Sequence, residues 1–295
     1  MFVVLEAAQY TVFGNVLQDA DPIRFSAYST GLICLVFVGG SLFRAPGEVM
    51  AALAAPGLLI GINGLVALAW AAMLLSLRYI EPAISYTIGA AIMPLTVWVL
   101  SRLGVAGTTG PRNTLERAGL LVLAVSAVVL SYITLAGGAG FVRADTGAGL
   151  LGAGLAALEG ILFTVVIILA GRLHVRGVGP AAQFGLRFMA FASLAILFLA
   201  VGGAPTAPVV YSGWWLAALG AVLIAPPLYA LQRAIATAPA MTVSIATAFG
   251  PVCIFLAQIV EGRFDASFLT LLGVLIYSAG ALAAAAGAWQ AERGK

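Results

Sequence analysis

Apolar stretches of about twenty residues follow one another along almost the whole chain, and polar residues collect in short breaks between them. A helix needs about 20 mostly apolar residues to cross roughly 30 Å of hydrocarbon. Ten stretches meet that need, at about 1–18, 22–43, 56–78, 82–102, 116–136, 147–171, 180–202, 213–233, 239–260 and 267–289. The breaks are too short to hold an extramembrane domain, and the longest, "GVAGTTGPRNT" at 104–114, falls near the middle. The pattern predicts an all-α integral membrane protein with ten transmembrane helices.

The stretches repeat. "EPAISYTIGAAIMP" (81–94) and "APAMTVSIATAFGP" (238–251) align without a gap and share Pro82/Pro239, Ala83/Ala240, Ile88/Ile245, Ala91/Ala248 and Pro94/Pro251. "LEAAQYTV" (5–12) matches "LEGILFTV" (158–165), pairing Glu6 with Glu159 and Thr11 with Thr164. "LLVLAVSAVVL" (120–130) matches the stretch after 270 less closely. Spans one, four and five therefore correspond to spans six, nine and ten. Each half holds five spans, an odd number, so the second copy enters the membrane upside down. The expected frame is one membrane domain of two inverted five-helix repeats, 1–143 and 144–295, as in secondary transporters built around a midplane site.

Composition sharpens the solvent. The chain is 62% hydrophobic and 8% charged, with a mean hydropathy of +1.10, whereas a soluble domain carries roughly 25% charged residues. The net charge of +3 is then no nucleic-acid footprint; its meaning lies in where the arginines stand. Nine Lys and Arg (44, 102, 112, 117, 172, 176, 233, 293, 295) would share the side of both termini, against four (24, 78, 143, 263) opposite. That bias implies cytoplasmic termini in a bacterial-type inner membrane. Cys34 and Cys253 lie in apolar runs without metal-ligand spacing and read as small hydrophobes. No basic n-region precedes a cleavage site, so no cleavable signal peptide is expected.

Few ionisable residues fall inside spans. Glu159 would lie near the bilayer midplane, where a charge costs about 2.5–3.5 kcal/mol or more and normally faces a bundle interior or wet cavity. It could couple protons or hold a substrate ammonium, or be a protonated or paired carboxyl that only fixes packing. Glu6 is its repeat partner and a second coupling candidate. Arg187, the one basic residue inside a span, could neutralise Glu159, hold a substrate carboxylate or snorkel. Pro82 and Pro239 suit first-turn positions, while Pro94 and Pro251 read as internal kinks beside a cavity. Asn15, Asn63, Trp70, Tyr86, Phe163 and Tyr229 complete the candidate substrate-contacting set, Tyr229 because Pro226-Pro227 breaks its span. Asn in a span can equally bond a neighbouring helix. "GAGLLGAG" (147–154) reads as close helix packing, since no strand precedes it. The sole histidine, His174, stands in "GRLHVRG" with no HExxH, nucleotide loop or paired acids, so neither enzyme chemistry nor a metal or cofactor is expected.

On these motifs the chain resembles the drug/metabolite transporter superfamily, in particular its EamA-type exporters. Pro82 to Pro94 and Pro239 to Pro251 match that family's paired fourth-helix prolines, and "IVEGRFDASFLTLLGVLIYSAGAL" (259–282) matches its ending, including Glu261 and Gly273. The first repeat has "SRLG" (101–104) where the family often has an acid, and little precedes Glu6, so either the first helix is short or the natural N-terminus is longer. Within the superfamily, amino-acid exporters of the YddG type are the nearest group, although Ile92-Met93 and Phe249-Gly250 replace the aromatics those proteins carry before the proline. The resemblance implies export of small organic solutes, amino acids foremost, by alternating access, with protons as a coupling option and a monomer or weak dimer in the bilayer. Uptake, or nucleotide-sugar or drug transport, on the same scaffold is the alternative; a channel or lipid-handling protein is the rival from another class.

Overall fold

Prolines and short polar side chains set where the helices begin. In the computed structural model the described residues are 2–140, 146–202, 211–237, 246–262 and 265–293. They form α1 (Phe2–Asp19), α2 (Pro22–Arg44), α3 (Pro46–Leu53), α4 (Pro56–Tyr79), α5 (Pro82–Arg102), α6 (Thr114–Leu135), α7 (Thr146–Val175), α8 (Pro180–Leu186), α9 (Met189–Ala200), α10 (Gly213–Thr237), α11 (Gly250–Glu261) and α12 (Phe268–Arg293). Five of these, α2, α3, α4, α5 and α8, open on a proline, where the missing N–H would have no intrahelical partner anyway. Asp21 caps α2 by accepting from the Arg24 N–H at 2.8 Å, and Asn113 caps α6 by accepting from the Glu116 N–H at 2.8 Å.

Among the described residues eight helices are long and apolar enough to cross a membrane, α8 and α9 counting as one, as in a multi-pass membrane protein. Their outer faces are apolar: Leu35, Phe43, Ile60, Val128, Leu194 and Val222 are all exposed. Two expected spans stand apart from the eight. Helix α1 carries Glu6, Gln9, Asn15, Gln18 and Asp19, too polar for a lipid-facing position, and it buries Ala7, Tyr10, Phe13 and Val16 in the core. The ninth stretch is described only from 246, and α11 is 12 residues long; Pro239 lies outside the described residues, as do Arg143, Arg263, Lys295 and the expected 143/144 boundary.

Local departures from the sequence pattern have identifiable causes. The stretch expected as a single helix over 180–202 is broken at Arg187-Phe188. Asn63 of α4 spans the break: its amide donates to the Leu186 carbonyl at 2.9 Å, and its Oδ1 accepts from the Ala190 N–H at 2.8 Å. The break's orphaned backbone groups are thereby satisfied away from water. Pro94 does lie inside a continuous α5. Pro251 stands in the first turn of α11, just after a one-residue turn at Phe249 that separates the helical residues 246–248 from α11. Ser278 of α12 donates to the Ala248 carbonyl at that turn, at 2.9 Å.

The helices pack in a specific set of neighbours. α6 lies along α12, α4 and α5 lie on α7, α2 lies against α8, α9 and α10, and α1 lies against α10 and α11. Small residues set the closest approaches. A Cβ on Gly160 of α7 would fall 2.3 Å from the Gly89 carbonyl oxygen of α5, and one on Gly119 of α6 would fall 2.3 Å from the Ala284 nitrogen of α12. Such pairs let backbones touch where no hydrophobic force draws lipid-embedded helices together. Gly154, also on α7, faces open space. Gly160→Ala is therefore expected to cost roughly 1–3 kcal/mol through overpacking and Gly154→Ala to be neutral, both read as unfolding free energy in a dodecyl sulfate titration.

Candidate functional site: carboxyls held by tyrosines

Three helices bring the two repeat-paired glutamates together. Glu6 and Tyr10 are one turn apart on α1, Tyr86 lies on the first turns of α5, and Glu159 lies at the middle of the 30-residue α7. Tyr10 Oη donates to Glu159 Oε1 at 2.8 Å, and Tyr86 Oη donates to Glu6 Oε2 at 3.0 Å. The two rings meet edge to face with centroids 4.9 Å apart, a favourable aromatic geometry. Glu159 is only 4% exposed, and its second oxygen, Oε2, is buried without a hydrogen-bond partner. The close approach at Gly89 and Gly160 sets the α7 position from which Glu159 reaches this cluster; a Cβ on Gly89 would itself lie 3.6 Å from Glu159 Oε2. Tyr277 of α12 is buried and within electrostatic reach of Glu6. Gly250 leaves room for Tyr86: a Cβ there would fall 2.7 Å from the phenol oxygen.

An aromatic wall continues from this cluster. Phe163, one turn beyond Glu159, stands edge-on to Trp70 at 6.5 Å, and Trp70 is edge-on to Phe188 at 5.4 Å. The Trp70 indole N–H is buried with no acceptor, and so is the Thr11 hydroxyl. Thr164, the repeat partner of Thr11, instead donates to the Gly160 carbonyl at 2.8 Å. Chemically the region offers two carboxyls that can take up or release protons, an unfilled acceptor, an unfilled indole donor and aromatic faces.

A second polar group closes one end of the bundle. Glu81, in the connection before α5, is 1% exposed. Its Oε1 accepts from Gln258 Nε2 at 2.9 Å, and its Oε2 accepts from the Gly140 N–H and the Thr270 hydroxyl, each at 3.1 Å. Gln258 Oε1 in turn accepts from the Ala83 N–H at 2.6 Å. Burial pushes the Glu81 carboxyl above its ordinary range, and these donors pull the other way. Beside it the Asn15 amide donates to Glu261 Oε1, joining α1 to the end of α11.

The remaining candidates fall elsewhere. Asn15 thus serves Glu261, and Asn63 serves the α8–α9 break. Tyr229 of α10 is 37% exposed and lies tilted against Phe37 at 6.2 Å. Arg187 does not pair with Glu159: among the described residues its guanidinium is in no ion pair and rests against Phe184 and Phe188. No cluster of metal-ligating side chains occurs among the described residues. Sequence reasoning singled out neither Tyr10, although it stands one turn from Glu6 in the repeated motif, nor the Glu81–Gln258 group, whose members are far apart in the chain.

No family model matches the chain, and no curated protein matches it. A solved protein crystal structure matches it with a TM-score of 0.63 at 20% identity, over 96% of this chain and 95% of the other. At that identity the likeness establishes a shared fold and nothing more.

Tyr10→Phe removes the only side-chain hydrogen bond that Glu159 accepts among the described residues while keeping the ring packing. It is expected to cost about 1–3 kcal/mol, read in the same dodecyl sulfate titration. Glu81→Ala strands three donors at once and is expected to cost about 2–4 kcal/mol. Glu81→Gln should recover part of this, because its carbonyl oxygen can still accept from Gly140 and Thr270 while its amide faces the Gln258 amide, which a bond to Ala83 holds in place.

Proposed function

We propose that the chain is a secondary transporter that carries small organic solutes, amino acids foremost, across a bacterial-type inner membrane by alternating access. The observation that carries this reading is the pair Glu6 and Glu159, both held by tyrosine hydroxyls inside a bundle whose outer face is apolar. Intramembrane carboxyls are costly, and they mark ion and substrate pathways.

The packing supports a frame of ten spans in two inverted repeats. Exchanging the halves turns the contact of α1 with α11 into that of α7 with α5, and α1 with α10 into α7 with α4. It turns α2 with α10 into α9 with α4, and returns α6 with α12, α5 with α11 and α2 with α9 to themselves. In this frame the cluster lies where the halves meet, and the Glu81 group closes one end. Family membership among the EamA-type exporters, export polarity, cytoplasmic termini and a monomer or weak dimer belong to the same proposal and rest on the sequence resemblance and the arginine bias.

Substrate would enter against Trp70, Phe163 and the cluster. Its ammonium group would compete with a proton for Glu159, whose Oε2 has no partner. Release of that proton as the ammonium binds would couple the two fluxes. Counterflow of radiolabelled amino acids in proteoliposomes, wild type against Glu159→Gln, tests this. The expected outcome is saturable counterflow for a subset of the twenty amino acids, with the pH dependence lost in the variant. Absence of counterflow with all twenty would end the amino-acid assignment; an unchanged pH profile would remove Glu159 from coupling.

A further inference from the structure

We propose that Arg187, at the break between α8 and α9, forms a binding site for a phosphate-type oxyanion, separate from the carboxyl–tyrosine cluster. The guanidinium carbon lies 4.6 Å from the Phe184 ring centroid and 5.0 Å from that of Phe188. Two aromatic faces orient the cation but carry no compensating charge. Its Nε–H is buried without a partner, and among the described residues no carboxylate forms an ion pair with it. An arginine is charged at every physiological pH, so this arrangement lacks an anion.

A cavity of about 20 Å³ adjoins the guanidinium, room for one water-sized atom and hence for one oxygen of a larger group. Its floor is apolar and buried, formed by Ile62, Val166, Leu173 and Leu186. Its rim is half-buried, formed by Leu59, Ala170, Gln183 and Arg187 itself. Arg187 thus lines a small cavity and the half-buried rim beside it, where an oxyanion would meet the guanidinium. Gln183 adds no competing negative charge, and its amide is committed to the Val178 carbonyl at 2.8 Å.

Depth favours head-group chemistry. Helix α7 has 30 residues, about 45 Å at 1.5 Å per residue, which exceeds a hydrocarbon layer of roughly 30 Å. The rim and floor residues Ala170 and Leu173 fall in its last turns, beside Arg172 and Arg176. Leu59 is likewise in the first turn of α4. The cavity therefore sits near the level of lipid phosphates, at a basic end of the bundle where anionic head groups gather. A free oxyanion from solution would offer the same chemistry.

The test uses the purified full chain in dodecyl maltoside, a background without phosphate. In one arm phosphatidylglycerol is added; in the other, inorganic phosphate is added against chloride at equal ionic strength. Thermal-unfolding midpoint and lipid retention in native mass spectrometry are read for wild type, Arg187→Gln and Arg187→Lys. The expected result is a saturable rise in midpoint with one retained phosphatidylglycerol, weakened at least tenfold in Arg187→Gln and less in Arg187→Lys. A saturable response to inorganic phosphate alone, lost in Arg187→Gln, would keep the site and assign it to a soluble anion. No saturable response of the wild type in either arm would overturn the proposal, whether or not the variants fold. An equal response in Arg187→Gln would overturn it as well.

Discussion

A carboxyl placed among helices whose outside is lipid loses its water and must take its donors from the protein. That constraint organises the centre of this molecule. Glu159 takes a donor from Tyr10 and Glu6 takes one from Tyr86, so α1, α5 and α7 are tied through two tyrosine hydroxyls. The tie works only because α5 and α7 touch at Gly89 and Gly160; separated by a methyl group, Glu159 would withdraw from the tyrosine. Close packing and polar satisfaction are one requirement seen from two sides.

The buried polar groups divide by how fully they are satisfied. Glu81 accepts from Gln258, Gly140 and Thr270, and Asn63 bonds both sides of the α8–α9 break. Both groups are structural ties, and moving either breaks several bonds together. Among the described residues Glu159 Oε2, the Trp70 and Trp98 indoles, the Thr11 hydroxyl, Arg187 Nε and Glu261 Oε2 have no partner. Native proteins leave few such groups. Three of the six, from Glu159, Trp70 and Thr11, lie on the helices and aromatic wall around the carboxyl cluster, and Arg187 lines a cavity; these four are places for ligands to complete.

Most of the fold is legible in the hydrophobic pattern, because a span needs a long unbroken apolar run and little else. Helix starts at Pro22, Pro56, Pro82 and Pro180 coincide with the expected stretches for the same reason. The break at Arg187-Phe188 is not legible: its stretch is as apolar as an unbroken helix, and what stabilises it is Asn63, 123 residues away from Leu186. The turn at Phe249, between the helical residues 246–248 and Pro251 in α11, is likewise not visible in the apolar pattern. Of the site, Glu6 and Glu159 stand out because charge is rare in spans. Tyr10 does not, because a tyrosine beside an acid is ordinary until a second helix turns that acid toward it. Asn15 and Asn63 show the converse, polar residues in spans that serve backbone or helix ends.

On the proposed repeat frame the two halves would correspond in their helices but not in their polar groups, and this has an energetic consequence. Tyr10 aligns with Phe163, Glu81 with Ala238 and Gln258 with Ser101. Both carboxyls therefore depend on tyrosines from the first half, since a phenylalanine has no hydroxyl to return the favour to Glu6. In the sequence the Glu81–Gln258 pair likewise has no counterpart, since Ala238 carries no polar side chain, and Ser101 donates to its own helix at the Trp98 carbonyl. On the transporter reading, exchanging the conformations of the halves would break several hydrogen bonds at the Glu81 end and could not form their images opposite. Each net hydrogen bond is worth about 0.5–1.5 kcal/mol, so on that reading opening the Glu81 end carries a difference of a few kcal/mol before any ligand binds. A substrate that drives the exchange must then recover that difference from the groups left open in the centre, Glu159 Oε2 and the Trp70 indole among them.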